Sequence, residues 1–257
     1  VDDDVVDRSN LQRQILHVDA DTGVPKVESA QTRLAALNPR VQIDAVRERL
    51  SSDNVERLLA EGFYHIHMKV GTMSLGGPPA LAHMDAFYRH FVAKGLNSKG
   101  TLTGVSRGGL YAYRFAAAHP DRVVCIYGDA PVCDFKSWPL GATPGRRDEN
   151  GVKNLLELYG FKTEAEALAY KGNPIDNLEP LAKAGIPLIH VIGDADQTVP
   201  PESNSAILEQ RYKALGGSIT VFHKPDCGHH PHGLEDPAPL VDLIKTYTTQ
   251  WDTENCK

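Results

Sequence analysis

The chain has 257 residues, 41% of them hydrophobic, and sets 27 Lys+Arg against 33 Asp+Glu for a net charge of −6 at pH 7. At roughly 100–200 residues per domain this is one large domain or two small ones, able to bury about 70–75% of its unfolded surface without disulfide or metal support. The acidic balance provides no polycationic surface for nucleic acid or membranes, no apolar run approaches the ~18 residues of a membrane span, and collagen-like, coiled-coil and disordered compositions are excluded.

In chain order, the first stretch, VDDDVVDRSN, is acidic and polar, does not read as a secretory leader, and makes a cytoplasmic protein the expectation. A helix is expected over 26–37, a strand over 41–46, a helix over 53–60 with Ser52-Asp53 at its N-cap, and a strand over 63–70. Next come a helix over 80–93 stopped at Gly95, a strand over 101–105, a helix over 108–118 and a strand over 123–127. The Gly/Pro-rich stretch 138–151, WPLGATPGRRDENG, reads as an exposed loop. Helices over 154–158 and 163–170, the second stopped at Gly172, precede a strand over 188–192. A helix over 201–215 stopped at Gly216, a strand over 218–223 and a helix over 240–248 complete the series. Apolar strands alternating with helices are the pattern of a parallel sheet. The expected fold class is therefore α/β, a doubly wound, mostly parallel sheet in three α-β-α layers. The cysteines at 125, 133, 227 and 256 form no CxxC pair, so neither a zinc knuckle nor a dense disulfide framework fits. Cys125 and Cys133 read as reduced core residues rather than a disulfide.

The segment TLTGVSRGGLYAYRF carries the strongest chemical signal. An apolar run ends in Gly104-Val105-Ser106-Arg107-Gly108 and a helical pattern begins at once, which is G-x-S-x-G between strand and helix. The turn is tight enough that side chains at Gly104 and Gly108 are expected to collide with their neighbours. Ser106 is then held with its hydroxyl above the sheet edge, and the new helix points N–H groups at the same place.

A serine hydroxyl is a weak nucleophile and needs a base, which in turn needs an orienting carboxylate. Downstream, PLIHVI runs into Gly193-Asp194-Ala195-Asp196-Gln197-Thr198-Val199-Pro200, where both Asp194 and Asp196 could supply the acid. The phrase G-x-x-D-x-x-V-P favours Asp196, with Asp194 as a turn residue bonded to its own backbone and Asp129 as a third option. After SITVFH, the stretch Lys224–Gly233 offers His229, His230 and His232. Gly228-His229 is the favoured base, His232 its rival, and His230 is expected to face solvent. Asp226 and Cys227 add further ligand types, yet crowding within seven residues is unlike the spread ligands of a catalytic zinc site. No catalytic metal and no cofactor are expected. His65 and His67, alternating in FYHIHMKV, read as core or rim residues on one strand face.

On these residues, and on GGPPALAHMDAFYRHF, GVSRGGLYAYRFAAAHPDRV, CIYGDAPVCDFKSWP, GDADQTVPPESN and GHHPHGLEDP, the chain from 62 to 248 resembles serine esterases of the α/β-hydrolase superfamily. The resemblance implies Ser106 as nucleophile, Asp196 as acid, His229 as base and the Arg107 N–H as one oxyanion donor. It also implies that DAPVCDFKSWP runs over the active-site rim, with Trp138 and Phe135 as walls of the substrate pocket. The first sixty residues, through VDDDVVDRSNLQRQILHVDADTGVPKVESAQTRLAALNP, resemble a different family: the E1-like adenylating enzymes of molybdopterin and thiamine biosynthesis. There Asp2 would contact ribose, and Arg13 and Lys26 the nucleotide phosphates. The glycine-rich nucleotide loop, the downstream aspartate motif and the CxxC zinc site of that family do not occur in these 257 residues.

The expectation is thus a chimeric chain with a junction near Gly62, forming one hydrolase-like domain over 1–257. Residues 1–61 would supply replacement strand and helix elements and 62–257 the hydrolase core, with 47–53 standing in as the oxyanion loop. Losing one oxyanion donor costs about 10²–10³ in rate, so such an enzyme is slow rather than dead. The leading expectation is a carboxylesterase-type hydrolase of small or short-acyl esters, its partner a small molecule and neither nucleic acid nor membrane. The competing readings are a non-catalytic binding protein with an impaired oxyanion hole, and an adenylating enzyme acting through Asp2, Arg13 and Lys26.

Overall fold

The computed structural model describes residues 6–7, 18–37, 68, 75–236 and 238–255. The strands expected at 41–46 and, apart from Met68, at 63–70 lie outside these residues, as do the helix at 53–60, His65, His67 and Cys256. The chain divides into two compact units, Val1–His67 and Met68–Lys257.

In the first unit, helix α1 spans Lys26–Leu37, as its periodicity predicts. A single 3₁₀ turn over Asp19–Asp21 precedes it. The Asp21 carboxylate joins the two, accepting from Ser29 Oγ at 2.9 Å and from the Val18 N–H at 3.1 Å. The Ser29 bond, followed by that from Val18, holds the Asp21 carboxyl below its ordinary range.

The second unit is built on four parallel strands, β1 (Gly100–Val105), β2 (Val123–Asp129), β3 (Leu188–Gly193) and β4 (Ile219–Lys224), lying side by side in that order. Its helices among the described residues are α2 (Pro78–Ala93), α3 (Gly108–Ala118), α4 (Glu149–Tyr159), α5 (Glu164–Ala169), α6 (Glu179–Lys183), α7 (Ser205–Ala214) and α8 (Ala238–Asn255). Every residue of β3 is buried, and so are all but one of β2. That is why both read as unbroken apolar runs: a parallel strand is covered on both faces. Successive side chains of β3 point to opposite faces and all are buried, so both faces of the sheet are covered and the unit has three layers; α3 and α8 each lie against β1 and β2. The described strands run in simple sequence order.

Two cores result. One gathers Tyr113, Ile126, Leu181, Leu188, Leu208 and Tyr212 against the sheet. The other gathers Leu75, Leu110, Phe135 and Leu155, with Tyr159 and Tyr170 packed against it. Local signals explain most helix ends. Two prolines at the first positions of α2 use a φ already suited to a helix. Asp148 caps α4 by accepting from the Gly151 N–H at 3.0 Å, and Gly160 closes it at φ +71°. Gly95 and Gly216 adopt positive φ just past their helices, as expected, whereas α5 ends at Tyr170, before Gly172. The five-residue α6 is too short to leave a periodic signal.

The stretch 138–151 is largely exposed from Gly141 to Asn150, as its composition suggests, but it is anchored at its start and its last residues open α4. Leu140 is 3% exposed and Ser137, just before it, is fully buried. Gly145, at φ +151°, packs so closely that a Cβ there would lie 2.4 Å from the Ser137 carbonyl oxygen. Arg147 donates to the Leu140 carbonyl and to Glu149 and Glu164, drawing the segment onto α4 and α5. The glycines let this exposed loop pass close against its own backbone. Cys125 and Cys133 are free and buried, and no helix of the described residues is long and apolar enough to cross a membrane.

One polar core group has a measurable signature. His190, on β3, is fully buried between Tyr113 Oη at 2.6 Å and Ser205 Oγ at 3.0 Å. Burial pushes its imidazole from the ordinary 6.5 down to about 3. The unfolded chain therefore binds a proton between these values that the folded chain refuses, so stability present above about pH 6.5 is lost as pH falls toward 3. Urea unfolding of the wild type should show this decline, and His190→Gln, which never charges, should flatten it; parallel profiles would contradict the assignment.

Candidate active site

The site is assembled at the C-terminal ends of the four strands. After β1 the chain turns through Ser106 at φ +51°, a left-handed conformation that costs a non-glycine residue about 1–3 kcal/mol. The turn is fixed on both sides: the Ser106 N–H donates to the Asp129 carbonyl at 2.8 Å, and the Ser106 carbonyl accepts from Val132 at 2.8 Å and Gly109 at 3.0 Å. Helix α3 begins two residues later, so the positive end of its dipole and Arg107, at its N-cap, lie beside the serine. The glycine requirement differs in part from expectation. A Cβ at Gly104 would sit 2.8 Å from the Gly108 carbonyl oxygen, as anticipated, but one at Gly108 would meet nothing within 4 Å. The crowded second position is Gly109, where a Cβ would lie 2.6 Å from the Val132 carbonyl oxygen.

Asp196 lies just beyond β3 and is 4% exposed. Its Oδ1 accepts from the N–H groups of Thr198 at 2.8 Å and Val199 at 2.9 Å, leaving Oδ2 for His229 Nδ1 at 2.7 Å. Burial alone would raise this carboxyl, but the bonds from His229, Val199 and Thr198 outweigh it and hold the group below its ordinary value. Because an ionised carboxylate only accepts, His229 donates through Nδ1–H, and its Nε2 is left to accept from Ser106 Oγ at 3.0 Å. The structure thus brings Ser106, His229 and Asp196 into one hydrogen-bonded line. Asp194 is exposed and pairs instead with His223 at 2.7 Å.

The loop carrying His229 is held by contacts that the sequence does not announce. Gly193, the last residue of β3, lets the backbone of the loop pass directly over it: a Cβ there would lie 2.2 Å from the Gly228 carbonyl oxygen. On the other side, the buried Asp129 carboxylate accepts from Tyr127 Oη at 2.7 Å, His232 Nδ1 at 3.0 Å and the Gly233 N–H at 2.5 Å. Asp129, the third option for the acid, and His232, the rival base, therefore pair with each other. His230 is exposed.

Ser106, His229, His230 and His232 line a cleft of about 320 Å³, with Val105, Val132, Trp138 and Val199 as its apolar walls. Trp138 stands where the pocket wall is expected. Phe135 does not: it is fully buried beneath the cleft, edge-on to Tyr159 at 5.1 Å and stacked on Tyr170 at 5.9 Å. The oxyanion loop expected at 47–53 lies outside the described residues, as do Asp2 and Arg13; Lys26 opens α1.

Residues 1–65 match the ThiF family model. The SAMP-activating enzyme E1 of Haloferax volcanii is 52% identical over 60 residues, 23% of this chain and 22% of that protein. Ubiquitin-activating enzyme E1 2 of Arabidopsis thaliana is 29% identical over 194 residues, 72% of this chain and 16% of that protein. The chain thus spans about a fifth of the length of these curated relatives. Among solved structures, a puromycin hydrolase superposes with a TM-score of 0.51 at 18% identity, over 70% of this chain and 26% of its own. At that identity the likeness concerns the fold, which is of the α/β-hydrolase type.

The two neighbouring glycines make a direct comparison. Gly109→Ala should destabilise the protein by about 1–3 kcal/mol through overpacking against Val132. Gly108→Ala, entering open space at the start of a helix, should be neutral or stabilising by up to about 1 kcal/mol. Denaturant midpoints measure both, and equal losses would contradict this packing.

Proposed function

We propose that the chain is a serine hydrolase of carboxylic esters with small or short acyl groups, working through an acyl-enzyme. The observation that carries this reading is the unbroken line of hydrogen bonds from Ser106 through His229 to Asp196 at the rim of the cleft. In the proposed cycle Ser106 Oγ attacks the ester carbonyl while His229 Nε2 takes its proton. The tetrahedral oxyanion forms beside the N-terminus of α3, where the Arg107 amide is the proposed donor. Collapse breaks the ester C–O bond, and His229 returns the proton to the departing alcohol. Water, deprotonated by the same imidazole, then attacks the acyl carbon and releases the acid and Ser106. Asp196 keeps the imidazole in the required tautomer and stabilises its cation.

The preference for small acyl groups rests on the volume of the cleft, near the bottom of the roughly 300–1,000 Å³ range of ligand sites, and on its apolar walls. A serine at the turn, where dehalogenases and epoxide hydrolases of this superfamily carry aspartate, argues against those two reactions. With p-nitrophenyl acetate and butyrate, Ser106→Ala and His229→Ala should each lower kcat by on the order of 10⁶, and Asp196→Asn by about 10⁴. A fluorophosphonate probe should label Ser106. Wild-type turnover equal to that of Ser106→Ala, with no labelling, would leave the non-catalytic binding protein as the better reading.

A second reading draws on the N-terminal likeness to adenylating enzymes. It requires ATP–pyrophosphate exchange and a thermal shift with ATP, both abolished in Lys26→Ala. Finding neither would remove it and leave residues 1–61 as a structural segment.

A further inference from the structure

The three histidines of the loop after β4 form a cluster that the hydrolytic cycle only partly uses. The rings of His229, His230 and His232 pack in a triangle, with centroids 5.0, 5.0 and 4.7 Å apart and each pair near perpendicular. One ligand atom from each lies within 4.8 Å of the others. All three line the mouth of the cleft. Spacing along the chain argues against a catalytic zinc ion, but the course of the loop gathers the three rings edge to face within 5.0 Å of one another.

Two of the three are already prepared as ligands. His229 and His232 each direct Nδ1 to a buried carboxylate, Asp196 at 2.7 Å and Asp129 at 3.0 Å, which leaves Nε2 of each as the nitrogen offered to the cleft. Carboxylate–imidazole pairing of this kind fixes tautomer and ring direction around metal ions and raises the basicity of the ligand. The third, His230, is exposed and can turn its ring toward the others without leaving a core.

We propose that His229, His230 and His232 bind a Zn²⁺ ion that switches the hydrolase off. A Zn–N bond of about 2.0–2.1 Å in tetrahedral geometry places ligand nitrogens about 3.3 Å apart, so the rings close up modestly on the ion and a fourth position stays with water. Neutral imidazoles suit zinc and copper, whereas magnesium and calcium require oxygen ligands. Binding exchanges the bond between His229 Nε2 and Ser106 Oγ for one to the metal. The serine thereby loses its base, and the ion stands in the mouth of the cleft. The inhibitory half rests on the proposed role of His229 as base; binding of the ion does not.

Isothermal titration of the whole chain with ZnCl₂ should show one saturable site, unchanged by MgCl₂ and retained in Ser106→Ala. His230→Ala and His232→Ala should each weaken it at least about tenfold, the effect of disturbing a ligand set. Asp129→Asn, which leaves all three imidazoles in place, should weaken it by about 10–100-fold. Fluorophosphonate labelling of Ser106 should slow over the same zinc range and recover with EDTA. Absence of saturable zinc binding, or binding indifferent to His230 and His232, overturns the proposal. Zinc binding in a protein that the probe never labels supports the site and counts against the hydrolase reading alone.

Discussion

Everything in the larger unit depends on one strained residue. Ser106 occupies a left-handed conformation that a side chain resists, and it persists because both of its peptide groups are held from outside its own element. Its N–H is bonded to the end of β2 and its carbonyl to the segment just beyond β2. The cost of the turn is thus met by the sheet rather than by the turn itself. Only a chain that has already paired β1 with β2 can keep the serine in this position, which links the chemistry at the rim to correct assembly of the centre of the sheet.

The segment after β2 is fixed in a similar way. It leaves regular structure at once, yet it is among the most deeply buried parts of the unit. Two asparagines replace the missing ladder: Asn204 accepts from the Cys133 N–H at 2.9 Å and Asn173 from the Phe135 N–H at 3.0 Å. Asn204 also donates to Ser137 Oγ and the Pro200 carbonyl. Irregular backbone can be buried only when its polar groups are paired, and here side chains from distant positions supply the pairs. This brings Val132 and Trp138 to the walls of the cleft.

What can be read from the chain depends on how local each signal is. Helices α1 and α3 stand where periodicity puts them, because the pattern of apolar positions acts within a few residues. Strands β2 and β3 are legible because burial on both faces writes a continuous apolar run. The hydrogen-bonded line of Ser106, His229 and Asp196 is legible because a turn motif, a strand end and a glycine-led loop each have their own wording in sequence. Features that depend on distant partners are not. The glycines of 138–151 announce an exposed loop, but not that one of them, Gly145, admits Ser137 against its backbone. Phe135 and Trp138 are both aromatic residues of one rim segment, and only Tyr159 and Tyr170, more than twenty residues on, decide which of them is buried. Gly108 and Gly109 are adjacent in sequence, yet only the second faces Val132. Asp129, a candidate acid by its place at a strand end, instead holds the far end of the histidine loop.

Asp129 also has a mechanical consequence. Its main-chain oxygen holds the Ser106 N–H, while its side chain holds the loop that presents His229. The proposed nucleophile and base are therefore mounted on the same residue by two separate arms. The spacing between them is thus referred to a single point at the end of β2, and a substitution that displaces that point carries both side chains with it rather than pulling one from the other.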